Sequence, residues 1–233
     1  MYNYMIPKRI IQVYNSENLP VLFKISQKYI LYNCKDFEYI FYTQESMDFF
    51  VKLNYPHYLE LYNKLTLKNK ISFFTLLEIY TNGGIYIDMD FILYKNFNEL
   101  LNNDYDIIFP EANSERLGKY FFCSEKKHKF IYFLILKISQ IFNTNNKIII
   151  DDKLLYKLYI EYNKSIPIIK TDYTNCFGVF GFHIKINSFY FCNPKYPKWF
   201  LDTSYSIDKE DKVKSILRTD IRWLCNTTYH ISL

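Results

Sequence analysis

The segment from residue 68 to residue 90 constrains the fold more than any other part of this 233-residue chain. Apolar side chains recur at helical spacing from Lys68 to Tyr80, which predicts an amphipathic helix. Asn82-Gly83-Gly84 predicts the end of that helix, because glycine readily adopts the left-handed backbone of a helix C-terminus. A short apolar strand, residues 85–87, follows and leads into Asp88-Met89-Asp90. This order places two carboxylates at the end of a buried strand.

Predicted strands and helices alternate through the first half of the chain, and the second half is richer in strands and less regular. In the first half, strands are predicted at residues 6–14, 36–43 and 91–94, and helices at about 20–32, 46–53 and 56–65. In the second half, strands are predicted at 105–110, 119–124, 166–170, 176–183 and 189–192, and helices at 129–142 and 152–162. The alternation favours a mainly parallel sheet covered on both faces. Without repeats or linkers, residues 1–233 are expected to form a single α/β domain.

The composition supports a large core and argues against nucleic-acid binding. Hydrophobic residues make up 49% of the chain and aromatic residues 20%, which is ample material to bury. The net charge is +5, but the lysines are scattered and no run of five basic residues occurs. Asn, Lys, Ile, Tyr and Phe are abundant while Ala112 is the single alanine, which indicates an AT-rich genome such as that of a large DNA virus or an intracellular parasite.

The cysteines and the hydrophobic segments bear on the cellular location. The chain has five cysteines, an odd number, and none of them has the C-x-x-C spacing of a zinc ribbon. Reduced thiols in a cytoplasmic compartment (the host cytoplasm for a viral protein) are therefore expected. The N-terminus lacks the apolar core of a signal peptide, and no apolar stretch approaches the roughly 20 residues of a transmembrane helix.

Asp88 and Asp90 are the candidate catalytic and metal-binding residues. Residues two apart on a straight strand point the same way, so the two carboxylates would repel each other. A divalent cation removes that repulsion, and hard oxygen ligands suit Mn²⁺ or Mg²⁺. The alternative is that the triplet is a solvated turn, since D-x-D is a common tripeptide.

Three segments resemble one protein family in the same order. They are residues 6–14 (IPKRIIQVY), residues 70–90 (KISFFTLLEIYTNGGIYIDMD) and residues 94–101 (YKNFNELL). Together they resemble the glycosyltransferase sugar-binding region that contains the DXD motif, a family 32-like group. That group includes fungal mannosyltransferases and is related to the large bacterial glucosylating toxins. The resemblance covers roughly the first 110 residues.

The resemblance implies a fold and an activity. The fold would be GT-A, the nucleotide-diphospho-sugar transferase type, with a Rossmann-like mixed sheet flanked by helices. About residues 1–110 would form the nucleotide-sugar and metal half, and about 111–233 the acceptor half. The enzyme would be a metal-dependent hexosyltransferase that moves a sugar from a nucleoside diphosphate sugar to a glycan or protein hydroxyl, with retention. Asp90 would bind the metal directly, and Asp88 would contact the sugar or ribose, or the metal through water.

The resemblance also assigns the cofactor-binding residues. Tyr86 would lie near the nucleotide, and Gln12 and Tyr14 would line the base pocket. Tyr14 stands where the family usually has tryptophan, and a tyrosine face can also stack on a base. Ser72 and Thr75 occupy the positions of a family aspartate and arginine that bind the sugar nucleotide. Neither side chain is charged, so this chain departs from the pattern here.

A second departure from the family pattern lies near the C-terminus, and two rival functions remain. The resemblance would align His230 with a metal-binding histidine of the family's C-terminal flap, which would then be truncated in this sequence. The alternative is that His230 is an inert histidine near the terminus. These departures favour one rival, a catalytically degraded homologue that acts as a binding or scaffold protein. The other rival, a two-metal nucleic-acid enzyme, would need further acidic ligands and a concentrated basic face.

Other polar residues allow two interpretations each. Asp151 and Asp152 follow an apolar run and either line the acceptor side of the cleft or cap the next helix. Glu111 is either an acceptor-side carboxylate or, as its loop context favours, a solvated residue. His183 is expected to belong to the core.

Overall fold

The computed structural model describes residues 6–89, 91–93, 96–101, 106–109, 117–165 and 181–183. The helices are α1 (Val21–Asn33), α2 (Gln44–Asn54), α3 (Leu59–Lys64), α4 (Leu67–Asn82), α5 (Asn98–Leu101), α6 (Lys129–Asn145) and α7 (Asp152–Ser165), with a 3₁₀ turn at Pro56–Tyr58. The strands are β1 (Arg9–Val13), β2 (Glu38–Tyr42), β3 (Gly84–Ile87), β4 (Phe91–Leu93), β5 (Ile107–Ile108), β6 (Phe121–Ser124) and β7 (Gly181–His183). No helix within these ranges is both long and apolar enough to cross a bilayer.

Most predicted elements are present, with most strands shorter and most helices longer than predicted. β1 covers five of the nine residues expected at 6–14, and α4 extends the helix expected at 68–80 to Leu67–Asn82. Of the strand predicted at 176–183, the described part is Gly181–His183. The strands predicted at 166–170 and 189–192 lie outside the described residues.

The main sheet is parallel on one side and antiparallel on the other. Its five strands have the order β2-β1-β3-β6-β5. β1 runs parallel to β2 and β3, with Ile10 opposite Tyr39 and Ile85. β6 runs antiparallel to β3 and to β5. The mainly parallel sheet predicted from the alternation of elements is therefore found only in the first three strands, and the start of β6 meets the end of β3.

Both faces of the sheet are covered, because side chains along a strand alternate between them. Ile11, Val13 and Tyr86 pack on one face, in a cluster to which α4, α6 and α7 contribute. Ile10 and Ile85 pack on the other face, in a cluster to which α1 contributes. This two-sided burial holds the strand ends in place around the cleft described below.

Helix α4 is more deeply buried than its sequence pattern predicted. Every residue from 72 to 79 is buried, including Thr75 and Glu78. An amphipathic surface helix would leave one polar face in water. The prediction of an amphipathic helix was therefore wrong in this respect, because α4 lies against the sheet and contacts α6, α2 and α3 as well.

The two glycines after α4 permit a turn that other residues would strain. Gly83 has φ 69° and closes the helix with its N–H on the Ile79 carbonyl, and Gly84 has φ 114°. A Cβ on Gly84 would lie 2.8 Å from the carbonyl oxygen of Arg9 on β1. The close approach of β3 to β1 thus requires glycine at position 84.

We expect Gly84→Ala to lower the free energy of unfolding by at least about 2 kcal/mol, since it adds backbone strain and displaces β1. Urea denaturation would measure the loss. The conservative change Ile85→Val, on the next residue, should cost only about 1 kcal/mol. A Gly84→Ala protein as stable as the parent would contradict the close approach of the two strands.

Candidate active site

A cleft of about 570 Å³ lies at the carboxyl ends of β1 and β3. Six segments contribute to it: the end of β1, the first turn of α1, the end of β3, the first turns of α4, the start of α7 and the residues just before β6. The lining residues are Val13, Tyr14, Phe23, Leu67, Lys68, Ile71, Ser72, Tyr86, Asp88, Met89, Lys119, Tyr120 and Asp152. Ligands of open α/β sheets bind at this edge, which makes the cleft the candidate site.

Asp88 follows β3 in a tight turn and does not continue the strand. Its N–H donates to the Tyr120 carbonyl at 2.8 Å, and its own carbonyl accepts the Phe91 N–H at 3.1 Å. β3 therefore does not continue as a straight strand through Asp88 and Met89. Asp90 lies outside the described residues.

Tyr86 orients the Asp88 carboxylate. The Tyr86 hydroxyl donates a hydrogen bond to Asp88 Oδ1, and the tyrosine is only 3% exposed. A buried phenol fixed in a strand has little freedom, so it limits the rotation of the carboxylate that it holds. Both residues line the cleft.

Gln12 and Ser26 support the turn from behind. The Gln12 amide donates to the Asp88 carbonyl at 3.2 Å, and the Ser26 hydroxyl donates to the Phe91 carbonyl at 2.6 Å. Both side chains are completely buried, and Gln12 also accepts the Tyr39 hydroxyl at 2.9 Å. Gln12 is not among the cleft-lining residues, so its position suits holding the turn better than lining a base pocket. Sequence reasoning missed Ser26, which carries no motif signal.

Tyr14, predicted to line the base pocket, does line the cleft. Its ring packs edge-on against Phe23, with centroids 5.2 Å apart and the planes at 76°. Its backbone N–H donates to the Tyr42 carbonyl at 2.9 Å, which ties it to the end of β2. The cleft therefore has an aromatic side chain at the end of β1.

Ser72 and Thr75 lie in different environments. Ser72 lines the cleft, and its hydroxyl donates to the Lys68 carbonyl at 3.0 Å. Thr75 is 2% exposed and donates to the Ser72 carbonyl at 3.1 Å. Thr75 is not among the lining residues, so α4 presents Ser72 to the cleft and turns Thr75 toward the interior.

Lys119 is a cleft residue that sequence reasoning missed. Its ammonium donates to Ser72 Oγ at 2.7 Å, and its backbone N–H donates to Asp152 Oδ1 at 3.2 Å. Burial lowers the pKa of the Lys119 ammonium, while Asp88 opposes that shift. The sequence marked Lys119 only as the start of a predicted strand, and lysines are too frequent in this chain for one of them to stand out.

Asp151 and Asp152, predicted either to line the cleft or to cap the next helix, have different positions. Asp151 Oδ1 accepts the Leu154 N–H at 2.9 Å, which is a helix N-cap bond. Asp152 lines the cleft instead, and burial raises the pKa of its carboxyl. Asp151 therefore caps the helix and Asp152 lines the cleft, while a role toward the acceptor stays a prediction.

Comparison with known proteins finds a match for the segment that contributes part of this cleft. Residues 20–106 match the family model described as the glycosyltransferase sugar-binding region containing the DXD motif. That range holds Ser72, Tyr86, Asp88 and Asp90. This part of the chain is similar to the DXD glycosyltransferase family.

Two fungal proteins are similar to part of the chain. Inositol phosphoceramide mannosyltransferase 3 of Schizosaccharomyces pombe is 31% identical over 101 residues, which cover 42% of this chain and 28% of the relative. Mannosyl phosphorylinositol ceramide synthase SUR1 of Saccharomyces cerevisiae is 32% identical over 90 residues, 37% of this chain and 23% of the relative. The similar region thus spans about a quarter of the length of these relatives.

A solved structure confirms the predicted fold class. The PaToxG glycosyltransferase superposes with a TM-score of 0.50 at 15% identity, covering 70% of each chain. At that identity the likeness concerns the fold alone. The five-stranded mixed sheet flanked by helices is a GT-A fold, as the resemblance implied.

A second group of possible metal ligands, away from the cleft, has a structural explanation. Asp106, Glu125 and His128 place ligand atoms within 4.8 Å of one another. His128 Nδ1 accepts the Phe130 N–H at 3.1 Å and so caps α6, while Nε2 lies 3.3 Å from Asp106 Oδ2. None of the three residues is among those that line the cleft. This arrangement suits a helix cap with an acidic partner.

The remaining candidate residues lie elsewhere in the chain. His230, predicted as a metal ligand, and Glu111 are both outside the described residues. His183 belongs to β7 and pairs with Phe91 of β4 in a separate two-stranded antiparallel sheet.

Proposed function

We propose that this protein is a metal-dependent glycosyltransferase that moves a sugar from a nucleoside diphosphate sugar to a hydroxyl acceptor, a glycan or a protein, with retention at the anomeric carbon. One observation carries the proposal. Asp88, in a segment that matches the DXD family model, lines a cleft together with Tyr14, Tyr86 and Lys119 at the sheet edge where such folds bind ligands.

The side chains of the cleft fit a divalent metal. Asp88 and Asp90 would hold Mn²⁺ or Mg²⁺, for which carboxylate oxygens are suitable ligands. The carboxylate of Asp88 lines the cleft and is oriented by the Tyr86 hydroxyl, as a metal ligand requires. When bound, the ion would neutralise charge on the departing nucleoside diphosphate.

The protein's own residues would bind and position the donor. Tyr14 offers an aromatic side chain against which a base can stack. Gln12 and Ser26 hold the turn that carries Asp88, so that carboxylate is fixed before the donor arrives. No nucleophile is assigned, and catalysis would depend on positioning and on stabilising the leaving group.

A donor screen tests the proposal. The two fungal relatives are named for mannosyl transfer, so a nucleoside diphosphate mannose is the first donor to test, beside UDP- and GDP-sugars. We expect one donor, with Mn²⁺ present, to stabilise the protein by about 2.7 kcal/mol at a hundredfold excess over Kd. That corresponds to a rise in melting temperature of about 5–10 °C for a chain of this size.

The same screen separates this function from its rival. A degraded homologue acting as a binding or scaffold protein is favoured by Ser72 and by the buried Thr75, neither of which provides charge on α4. Metal alone and nucleotide alone serve as controls. If no sugar nucleotide raises the melting temperature with Mn²⁺ or Mg²⁺, the transferase proposal fails and the rival replaces it.

A further inference from the structure

Lys119 places a partly enclosed positive charge inside the cleft. Its ammonium carries three N–H donors, and Ser72 Oγ accepts one of them at 2.7 Å. The backbone of Lys119 is held as well, since its N–H donates to Asp152 Oδ1 at 3.2 Å. Lys119 is therefore held at its backbone and at its amine, and the amine retains donors for a ligand.

The carboxylates near this ammonium do not contact it directly among the described residues. Burial lowers the pKa of Lys119 and nearby Lys68 lowers it further, whereas Asp88, Asp152 and Asp151 act in the opposite direction. Lys119 makes no direct salt bridge with a carboxylate in the part of the chain that the structure describes. An ammonium removed from water costs free energy unless an anion comes close to it.

Lys68 adds a second positive charge on the same side of the cleft. It lies in the first turn of α4, and its carbonyl accepts the hydroxyl of Ser72 at 3.0 Å, the same hydroxyl that binds Lys119. That first turn contains no acidic residue, and both lysines line the cleft. Two neighbouring ammonium groups repel each other, and a bound polyanion would reverse that penalty.

We propose that Lys119, with Lys68 beside it, forms the subsite that binds the diphosphate of the donor. This inference rests on the proposed donor class. Lysine binds phosphate as a point charge, and such charge-assisted hydrogen bonds are roughly twice as strong as neutral ones. The anion-binding charge then comes from the segment before β6 and from the first turn of α4, while Ser72 positions the Lys119 amine.

Inorganic pyrophosphate is the probe, measured by calorimetry with and without Mn²⁺ on the full chain. The variants are Lys119→Gln, which removes the charge but keeps a donor for Ser72, and Lys119→Arg, which keeps the charge. Ser72→Ala removes the positioning hydroxyl, and Lys126→Gln alters an exposed lysine of the turn after β6. Circular dichroism and thermal denaturation check that each variant folds.

We expect pyrophosphate to bind the parent and to bind Lys119→Gln at least about tenfold more weakly. Lys119→Arg and Ser72→Ala should stay within about threefold of the parent, and Lys126→Gln should be unchanged. Lys68→Gln, expected to weaken binding about threefold or more, tests the same subsite if Lys119→Gln does not fold.

Three results would overturn the inference: no pyrophosphate binding by the parent, equal binding by the parent and Lys119→Gln, or a loss in Ser72→Ala as large as in Lys119→Gln.

The donor screen reports separately on the proposed function. Lysine-dependent pyrophosphate binding without any sugar-nucleotide binding would support the subsite and reject the transferase. Donor binding that is unchanged in Lys119→Gln would support the transferase and reject the subsite.

Discussion

Asp88→Asn is expected to lower the rate of sugar transfer at least about a hundredfold, which corresponds to about 2.7 kcal/mol of transition-state stabilisation. Asparagine has the shape of aspartate and its oxygen can still accept the Tyr86 hydroxyl, so the turn should persist. What is lost is the negative charge that would hold the metal. The rate is measured as nucleoside diphosphate released from the donor found in the screen, with Mn²⁺ saturating.

The controls separate lost chemistry from lost structure. Glu45→Gln, an exposed carboxylate of α2, should keep the parental rate. Asp90→Asn should abolish metal-dependent nucleotide binding, and neither Asp88→Asn nor Asp90→Asn should lower the metal-free melting temperature. A parental rate in Asp88→Asn would remove this carboxylate from the site, and a large fall in metal-free melting temperature would make it structural.

Arg9→Met is expected to lower the free energy of unfolding by about 3–5 kcal/mol, because it leaves a buried carboxylate without its cation. Glu78 is completely buried in α4, and its Oε1 accepts the Arg9 guanidinium at 3.2 Å. Tyr42 at 3.2 Å and Asn82 at 3.1 Å donate to the same oxygen, but neither carries a charge. Arg9 also donates to the Gly83 carbonyl at 3.0 Å, so its loss affects the turn before β3.

The loss in Arg9→Met should depend on pH. Burial raises the pKa of Glu78 and Arg9 opposes that shift, so removing Arg9 raises the pKa further. The folded protein then holds a proton that the unfolded chain releases at about pH 4.3. Stability must therefore fall as pH rises from that value through the folded pKa. Urea denaturation between pH 5 and pH 7.5 should show the deficit of Arg9→Met increasing with pH.

The double variant Arg9→Met, Glu78→Gln provides the matched comparison. With no buried charge left, it should recover part of the stability and lose the extra dependence on pH. Glu78→Gln alone should cost less than Arg9→Met, since Arg9 keeps Glu38 as a partner at 2.9 Å. If the double variant is as unstable as Arg9→Met at every pH, the uncompensated Glu78 charge is not the cause.

Local signals predicted most of the fold. The helix at 68–80, its stop on Gly83 and Gly84, and the strand that follows were found as α4 and β3, because helix period and glycine conformation act over a few residues. The antiparallel placement of β6 was not predicted, since strand direction depends on pairing between residues far apart in the sequence. The burial of residues 72–79 of α4 on every side was not predicted either, because it also depends on contacts between elements far apart in the sequence.

The candidate site was predicted in part. Asp88, Tyr14, Tyr86 and Ser72 were proposed from the family resemblance, and all four line the cleft. Gln12 was proposed as well, but the structure places it behind the turn that it supports. The role of each as a ligand-binding residue stays a prediction. Ser26 and Lys119 had no signal, because a lone serine in a helix and a lone lysine before a strand are ordinary residues.

The sequence by itself determined the order of elements and the position of the D-x-D triplet after β3, because both depend on side chains close together in the chain. Only the tertiary structure decided which distant residues meet there. Ser72 and Lys119 are 47 residues apart, and they meet because β6 pairs antiparallel with β3 and brings its start beside the first turns of α4. Charge balance in a cleft depends on distances in space, and those are fixed by strand pairing and by the packing of both faces of the sheet.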